Sequence, residues 1–355
     1  MPRDRAQNDT KMESRALDGL RGISAQVVFL AHFSAYFMYY SEWQEHWLGW
    51  SARVAVIAFF CLSGFVITRS ICRRSDRFSL QDFTYRRIAR IYPPYILALG
   101  VSWAAAFILT VKGNADYVAS MTANGALRAL TFTNLTSDFV TRIDGALWSL
   151  RLELIAYASI GSLGFAVLSR QRWHFRLLAG VAAVVVVIAS ASKLSFGLTA
   201  LLWFGSGALA ALWSGRTWRF LGPAALLVVC GGGFLTLTEP FRIGASDTFL
   251  AAIMQIAIAS LMSGWISFLA SHGNRALVAA APLSRYSYTL YVIHMPLLAL
   301  AAALHADAMM TFVVVQGTSW ASALILERPG FYYALIVRLM GWAAPLASVS
   351  GVRPR

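Results

Sequence analysis

The sequence predicts an all-α protein: a polytopic integral membrane bundle of about ten transmembrane helices with both termini on the cytoplasmic side. Three observations predict it. Of the 355 residues, 58% are hydrophobic and 13% charged, where an average soluble domain carries about 25% charged residues. The mean hydropathy is +0.61. The apolar residues recur in runs close to the roughly 20 residues that a helix needs to cross a bilayer.

Read with that ruler, the spans fall at residues 17–40, 52–70, 91–111, 146–168, 177–192, 196–214, 220–238, 248–270, 286–304 and 309–326. Residues 1–16 form a cytoplasmic tail, 17–330 a membrane domain, and 331–355 an interfacial segment and tail. Met1 to Arg15 is polar and reads as no secretory signal. Residues 78–91 read as a basic amphipathic helix on the cytoplasmic surface, and residues 112–145 as the longest external loop.

Charge supports this layout. The net charge is +14, which in a soluble chain would suggest nucleic acid. Here the basic residues sit in short gaps between apolar runs, so no nucleic-acid partner is expected and membrane lipid is. With the N-terminus inside, Arg69, Arg73, Arg74, Arg77, Arg86, Arg87 and Arg90 all fall on one side. Arg53, Lys112, Arg128, Arg142, Lys193 and Arg242 are left on the other. This asymmetry is the positive-inside rule. Cys61, Cys72 and Cys230 make neither a disulfide framework nor a zinc spacing, and no metal is expected.

Ionisable residues inside spans are costly and are candidate functional groups. In the first span, LDGLRGISAQVVFLAHF, Arg21 and His32 lie eleven residues apart. At 100° per residue they differ by about 20° around the helix and by roughly 16 Å along it. Asp18 falls on the same side. One face therefore runs from acid to guanidinium to imidazole. His32 reads either as a hydrogen-bonding group between helices or as a reactive one. In the fourth span, GALWSLRLELIAY, Glu153 has Tyr157 one turn on, with Trp148 at the external interface. A buried glutamate must be paired or protonated, so Glu153 is either structural glue or part of a cavity. In the ninth, SRYSYTLYVIHMPL, Ser287, Tyr291 and His294 share a stripe, and Pro296 follows. In YRRIARIYPPY, Arg86, Arg87 and Arg90 occupy one helical side. Guanidinium forks grip phosphates, though anionic lipid would also attract them. Pro93 and Pro94 are expected to reset the chain before the third span, and Glu327-Arg328-Pro329 reads as a charged stop.

Taken in order, these pieces resemble the acyltransferase-3 family of bacterial membrane O-acyltransferases. Arg21 to His32 matches its R-x10-H. FFCLSGFVI from Phe59 resembles its SGF segment, Arg87 to Arg90 its R-x-x-R, WSLRLE its WSLxxE, and YSYTLYVIHMPL its SYxxYxxHxP. The resemblance runs from Leu17 to Glu327. One departure is Ala156-Tyr157, where the family usually has Phe-Tyr. Longer members carry a C-terminal hydrolase domain, which is not expected in these 355 residues.

The resemblance implies a bacterial inner-membrane enzyme. Its donor would be acyl-CoA, with acetyl-CoA first among the candidates, and its acceptor a hydroxyl of a sugar or glycan such as lipopolysaccharide or another polysaccharide. In that reading Arg86, Arg87 and Arg90 hold the donor's phosphates and His32 is the general base. Arg21 or a backbone amide stabilises the oxyanion, and Glu153 orients His32 or binds acceptor. Asp18, Trp148, Tyr291 and His294 support them. The competing expectations are a transporter or flippase for an anionic or glycosylated substrate and a membrane scaffold without chemistry.

Overall fold

The computed structural model describes residues 2–38, 41–112, 123–132, 143–168, 173–181, 197–212 and 249–341. Among the described residues all regular structure is helical. We number the helices α1 (Pro2–Phe37), α2 (Glu42–Cys72), α3 (Leu80–Val111), α4 (Ala123–Leu130), α5 (Leu147–Leu168), α6 (Gly197–Leu212), α7 (Phe249–His272), α8 (Arg275–Ala280), α9 (Ser287–Ala303), α10 (Ala308–Leu326) and α11 (Pro329–Gly341).

The protein is a membrane helical bundle. Among the described residues four helices are long and apolar enough to cross a bilayer unaided: Trp47–Cys72, Leu80–Val111, Leu147–Leu168 and Ala308–Leu326. Gln255–His272 and Arg275–Arg285 form a pair bent by 89°, with Gly273 between them at φ +64°, a left-handed conformation that glycine adopts without steric cost. Thr199–Leu212 and Ser287–Ala303 are shorter apolar helices. The expected span at 220–238, and most of that at 177–192, lie outside the described residues.

Polar side chains start several helices. Ser41 and Gln44 form a capping box on α2, Ser79 accepts from the Asp82 amide on α3, and Asp307 accepts from the Met310 amide on α10. Each satisfies an amide that the first turn leaves without a partner.

Two expectations about helix limits change. α1 is continuous through the expected boundary between residues 16 and 17. Pro93 and Pro94 do not separate a surface helix from the third span, because both lie inside α3. A proline interrupts an amide ladder locally, but packing in a bundle can carry the helix across the gap. Here Pro94 and Tyr95 are buried. The Tyr95 hydroxyl donates to the Ala129 carbonyl at 2.6 Å, and its ring stacks on Phe132 with centroids 4.0 Å apart.

α1 lies at the centre and touches α2, α7, α8 and α9, while α2 packs on α6 and α3 packs on α9 and α11. Two of these contacts are made backbone to backbone. A Cβ on Gly64, in the SGF segment, would overlap the Phe204 carbonyl; one on Gly207 would overlap the Cys61 carbonyl. The same holds for Gly19 of LDGLRG against the Leu277 carbonyl. Without a hydrophobic force between helices in lipid, such close approach is a main source of association.

Candidate active site

α1, α2, α3, α5 and α9 enclose a cavity of about 50 Å³. Its polar wall is Arg21, Ser63, Arg90, Ser149, Glu153, Tyr157, Ser287, Tyr288 and Tyr291, and its apolar wall includes Phe59, Phe60 and Leu150. Residues far apart in the chain thus face one space, among them the expected Arg21, Arg90, Glu153 and Tyr291.

Glu153 is tied into the bundle rather than to the imidazole of His32. Its Oε1 accepts from Ser63 Oγ at 3.2 Å and from the Tyr157 hydroxyl. Tyr157 in turn lies under the Arg87 guanidinium, 5.5 Å from the ring centroid, with Phe83 also within reach of Arg87 at 5.4 Å. The departure at Ala156 therefore leaves the tyrosine that Glu153 uses in place.

Tyr291 and Ser149 are 2.6 Å apart at their hydroxyls. Ser149 Oγ also donates to the Ala146 carbonyl at 3.0 Å. A hydroxyl has one proton, so Tyr291 is the donor of the shared bond. Trp148 is half-buried and packs against the main core.

His32 does not line this cavity. Its partner is His294, whose Nε2 lies 3.0 Å from His32 Nδ1. The roles of the four ring nitrogens follow from the surroundings. His294 Nδ1 faces the Leu290 carbonyl at 3.1 Å and the Tyr291 carbonyl at 2.8 Å. Carbonyls only accept, so Nδ1 of His294 carries the hydrogen and, in a neutral ring, its Nε2 is the bare acceptor. His32 Nδ1 then donates to it. What remains is His32 Nε2, an unprotonated nitrogen free to accept a proton. His294 is fully buried and sits one turn beyond Tyr291, their ring centroids 6.0 Å apart.

A second cavity, about 440 Å³, opens at the other end of Arg21. Arg21 and Arg90 line both cavities and so form the neck between them. Arg21 Nη1 is 3.4 Å from Asp18 Oδ1, one turn back on α1. Arg69, Arg73 and Arg74, from the end of α2, line this outer cavity as well.

The three arginines of YRRIAR diverge. Arg86 Nε donates to Asp82 Oδ2 at 2.9 Å, and its guanidinium lies 4.6 Å from the Tyr333 ring centroid. The Tyr333 hydroxyl donates to the other Asp82 oxygen at 2.6 Å, and this bond raises the tyrosine above its ordinary pKa. Arg86 thereby fastens α11 onto α3. Arg87 points inward onto Tyr157. Arg90 alone reaches the cavities.

Three features were not evident from sequence. The His32–His294 pair joins residues 262 positions apart. Gln26 and Gln316 bridge α1 and α10, with Gln316 Nε2 donating to Gln26 Oε1 at 2.7 Å and Gln26 Nε2 donating to the Tyr286 hydroxyl at 2.9 Å. Glu327, expected as a simple charged stop, folds back to accept from the Thr289 amide at 2.8 Å. It thus caps α9, the helix that carries His294. Burial holds its carboxyl above the usual 4.5.

A family model described as an acyltransferase domain matches residues 14–327. Among curated relatives, "Protein 2 in picA locus" of Rhizobium radiobacter is 31% identical over 192 residues, covering 49% of this chain and 93% of that protein. An "O-acetyl transferase" of Shigella phage Sf6 is 25% identical over 157 residues, covering 42% of this chain and 45% of that protein. No solved structure matches. The family match takes in every residue of the bundle that the cavity, its neck and the histidine pair draw on, and this chain belongs to the acyltransferase-3 family of acyltransferases.

Proposed function

We propose that the protein moves an acyl group, acetyl in the first instance, from acyl-CoA at the cytoplasmic face to a hydroxyl of a sugar or glycan, in the inner membrane of a bacterium. We place the chain there as ten spans with both ends cytoplasmic, following its charge asymmetry. The observation that carries the reading is the tautomer set by His294, which leaves His32 Nε2 bare as a general base. The relative named an O-acetyl transferase supports the choice of reaction.

In the proposed step, His32 Nε2 takes the proton of the acceptor hydroxyl as its oxygen attacks the thioester carbonyl. The tetrahedral intermediate collapses by breaking the carbon–sulfur bond. The thiolate that leaves takes the proton from the His32 imidazolium, so the enzyme ends as it began. Such general-base catalysis contributes about 10²- to 10⁴-fold.

Arg21 takes a different part from the oxyanion role. About 16 Å of helix separates it from His32, too far for one carbonyl to meet both. At the neck, Arg21 and Arg90 bracket the donor's arm instead. Glu153, held by Ser63 and Tyr157, shapes the cavity wall.

The experiment is transfer of radiolabelled acetyl from acetyl-CoA to membrane glycans of the natural host, comparing wild type with His32→Ala at matched expression. Transfer by wild type with a loss of at least about 10²-fold in the variant is expected. Full activity in the variant would overturn the assignment of the base.

A further inference from the structure

We propose that Arg69, Arg73 and Arg74, at the end of α2, form the site that holds the phosphates of the donor's nucleotide. This rests on the acyl-CoA reading above and assigns its anionic end to a different part of the chain from the R-x-x-R arginines.

The outer cavity draws guanidinium groups from three helices: Arg21 from α1, Arg69 from α2 with Arg73 and Arg74 just beyond its end, and Arg90 from α3. Glu13 and Asp18 are the acids on its wall. Asp18 is taken by Arg21, and Arg74 reaches Asp82 at 3.7 Å. Among the described residues, no carboxylate lies within ion-pair distance of Arg69, Arg73 or Arg90. One explanation for cations here is the negative end of the α2 dipole, which favours them. That explanation covers the residues at the end of α2. It does not explain why arginines of α1 and α3 converge on the same space, where like charges repel.

An anion of several charges in that shared space offsets repulsion among all five arginines on its wall, the two at the neck included. Guanidinium forks bind phosphate oxygens in pairs, and a volume of about 440 Å³ lies within the range of ordinary ligand pockets. The inner cavity has a different character, with hydroxyl, carboxyl and aromatic walls and a volume of about 50 Å³. A ligand with a polyanionic head and a slender neutral arm suits the pair of spaces: phosphates among Arg69, Arg73 and Arg74, the arm between Arg21 and Arg90. Arg86 and Arg87 do not line the outer cavity; Arg86 holds Asp82 and Tyr333, and Arg87 lies over Tyr157.

The test is calorimetric titration of the full-length protein in lipid nanodiscs with CoA and, separately, with pantetheine, which lacks the nucleotide phosphates. Variants are Arg69→Gln, Arg73→Gln and Arg74→Gln. Arg77→Gln, in the same loop but off the cavity wall, controls for lost cytoplasmic charge. Wild type is expected to bind CoA with an affinity that falls as salt rises. Each of the three variants is expected to weaken CoA about ten-fold while leaving pantetheine and the Arg77→Gln control unchanged. CoA bound equally by wild type and the three variants would overturn this site and leave the donor reading standing. No binding of CoA by a monodisperse wild type would overturn the donor reading, and this site with it.

Discussion

His32 Nδ1 donates to His294 Nε2 across 3.0 Å, and His294 is itself anchored by two carbonyls of its own helix. On the proposed reading the pair has one base and one holder, and the two histidines differ in what their loss should do. His32→Ala removes the proposed base. His294→Ala leaves the His32 ring present but free to rotate and to take the wrong tautomer. We expect His294→Ala to lower kcat by about 10- to 100-fold with little change in KM, because fixing a tautomer acts on the chemical step and not on binding. His294→Gln, which can still offer an acceptor oxygen to His32 Nδ1, should recover part of the loss. Steady-state transfer assays on the four proteins would show this; an equal KM rise in both His294 variants would point to a merely structural role.

Glu153 accepts from both Ser63 and Tyr157, so the oxygen matters more than the charge. Glu153→Gln keeps an acceptor and should retain most of the stability. Tyr157→Phe keeps the ring under Arg87 and removes one donor, at a cost of about 1 kcal/mol. Glu153→Ala strands two donors and should cost about 2–4 kcal/mol. Thermal unfolding in detergent would rank the three; a Glu153→Gln protein as unstable as Glu153→Ala would show that the negative charge itself is required.

Glu327 gives a pH dependence with a definite sign. Burial raises its carboxyl above the ordinary 4.5 in the folded protein, so the folded state holds the proton more tightly than the unfolded one. Stability from this group is greatest at acid pH and declines as pH rises from about 4.5 through the raised value. Glu327→Gln keeps an oxygen for the Thr289 amide and cannot titrate. Its melting temperature is expected to vary less over that interval than wild type's. Glu327→Ala removes the cap outright and should cost about 1–2 kcal/mol at any pH. Melting curves between pH 4 and 8 would decide it, and parallel curves for wild type and Glu327→Gln would count against the assignment.

The α2–α6 contact leaves no room for a methyl group. Gly64→Ala and Gly207→Ala each place a Cβ against a backbone carbonyl, which cannot move aside as a flexible side chain would. Overpacking of this kind costs about 1–3 kcal/mol and often more. Both variants should express poorly or melt earlier, whereas Gly205→Ala, with open space around it, should behave as wild type. Fluorescence-detected size exclusion of the three proteins would separate these outcomes.

Much of the bundle was legible because hydropathy is local. The expected spans at 146–168, 248–270, 286–304 and 309–326 coincide within about two residues with α5, α7, α9 and α10. What hydropathy misses is continuity: α1 and α3 run on past their apolar segments, one through a polar tail and the other through two prolines. The site was legible as a set of costly residues, because a charge in an apolar run stands out. Their partners were not. His32 could equally have met Glu153, and only the fold brings His294 to it. Arg69, Arg73 and Arg74 passed as topological charges, since a positive-inside arginine and a phosphate-binding one look alike in a sequence. Glu327 was hidden for the same reason, its partner being a backbone amide 38 residues earlier.

The carbonyls behind His294 also decide where a proton cannot go. Past His32 the chain of donors and acceptors ends on Leu290 and Tyr291 oxygens that take no proton onward. An imidazole in the middle of a membrane under voltage is a hazard, since two in series could short-circuit the ion gradient. Here the second ring is a blind alley. A proton lifted onto His32 therefore has one exit, through its own Nε2, and in the proposed step it leaves there with the departing thiolate rather than through His294.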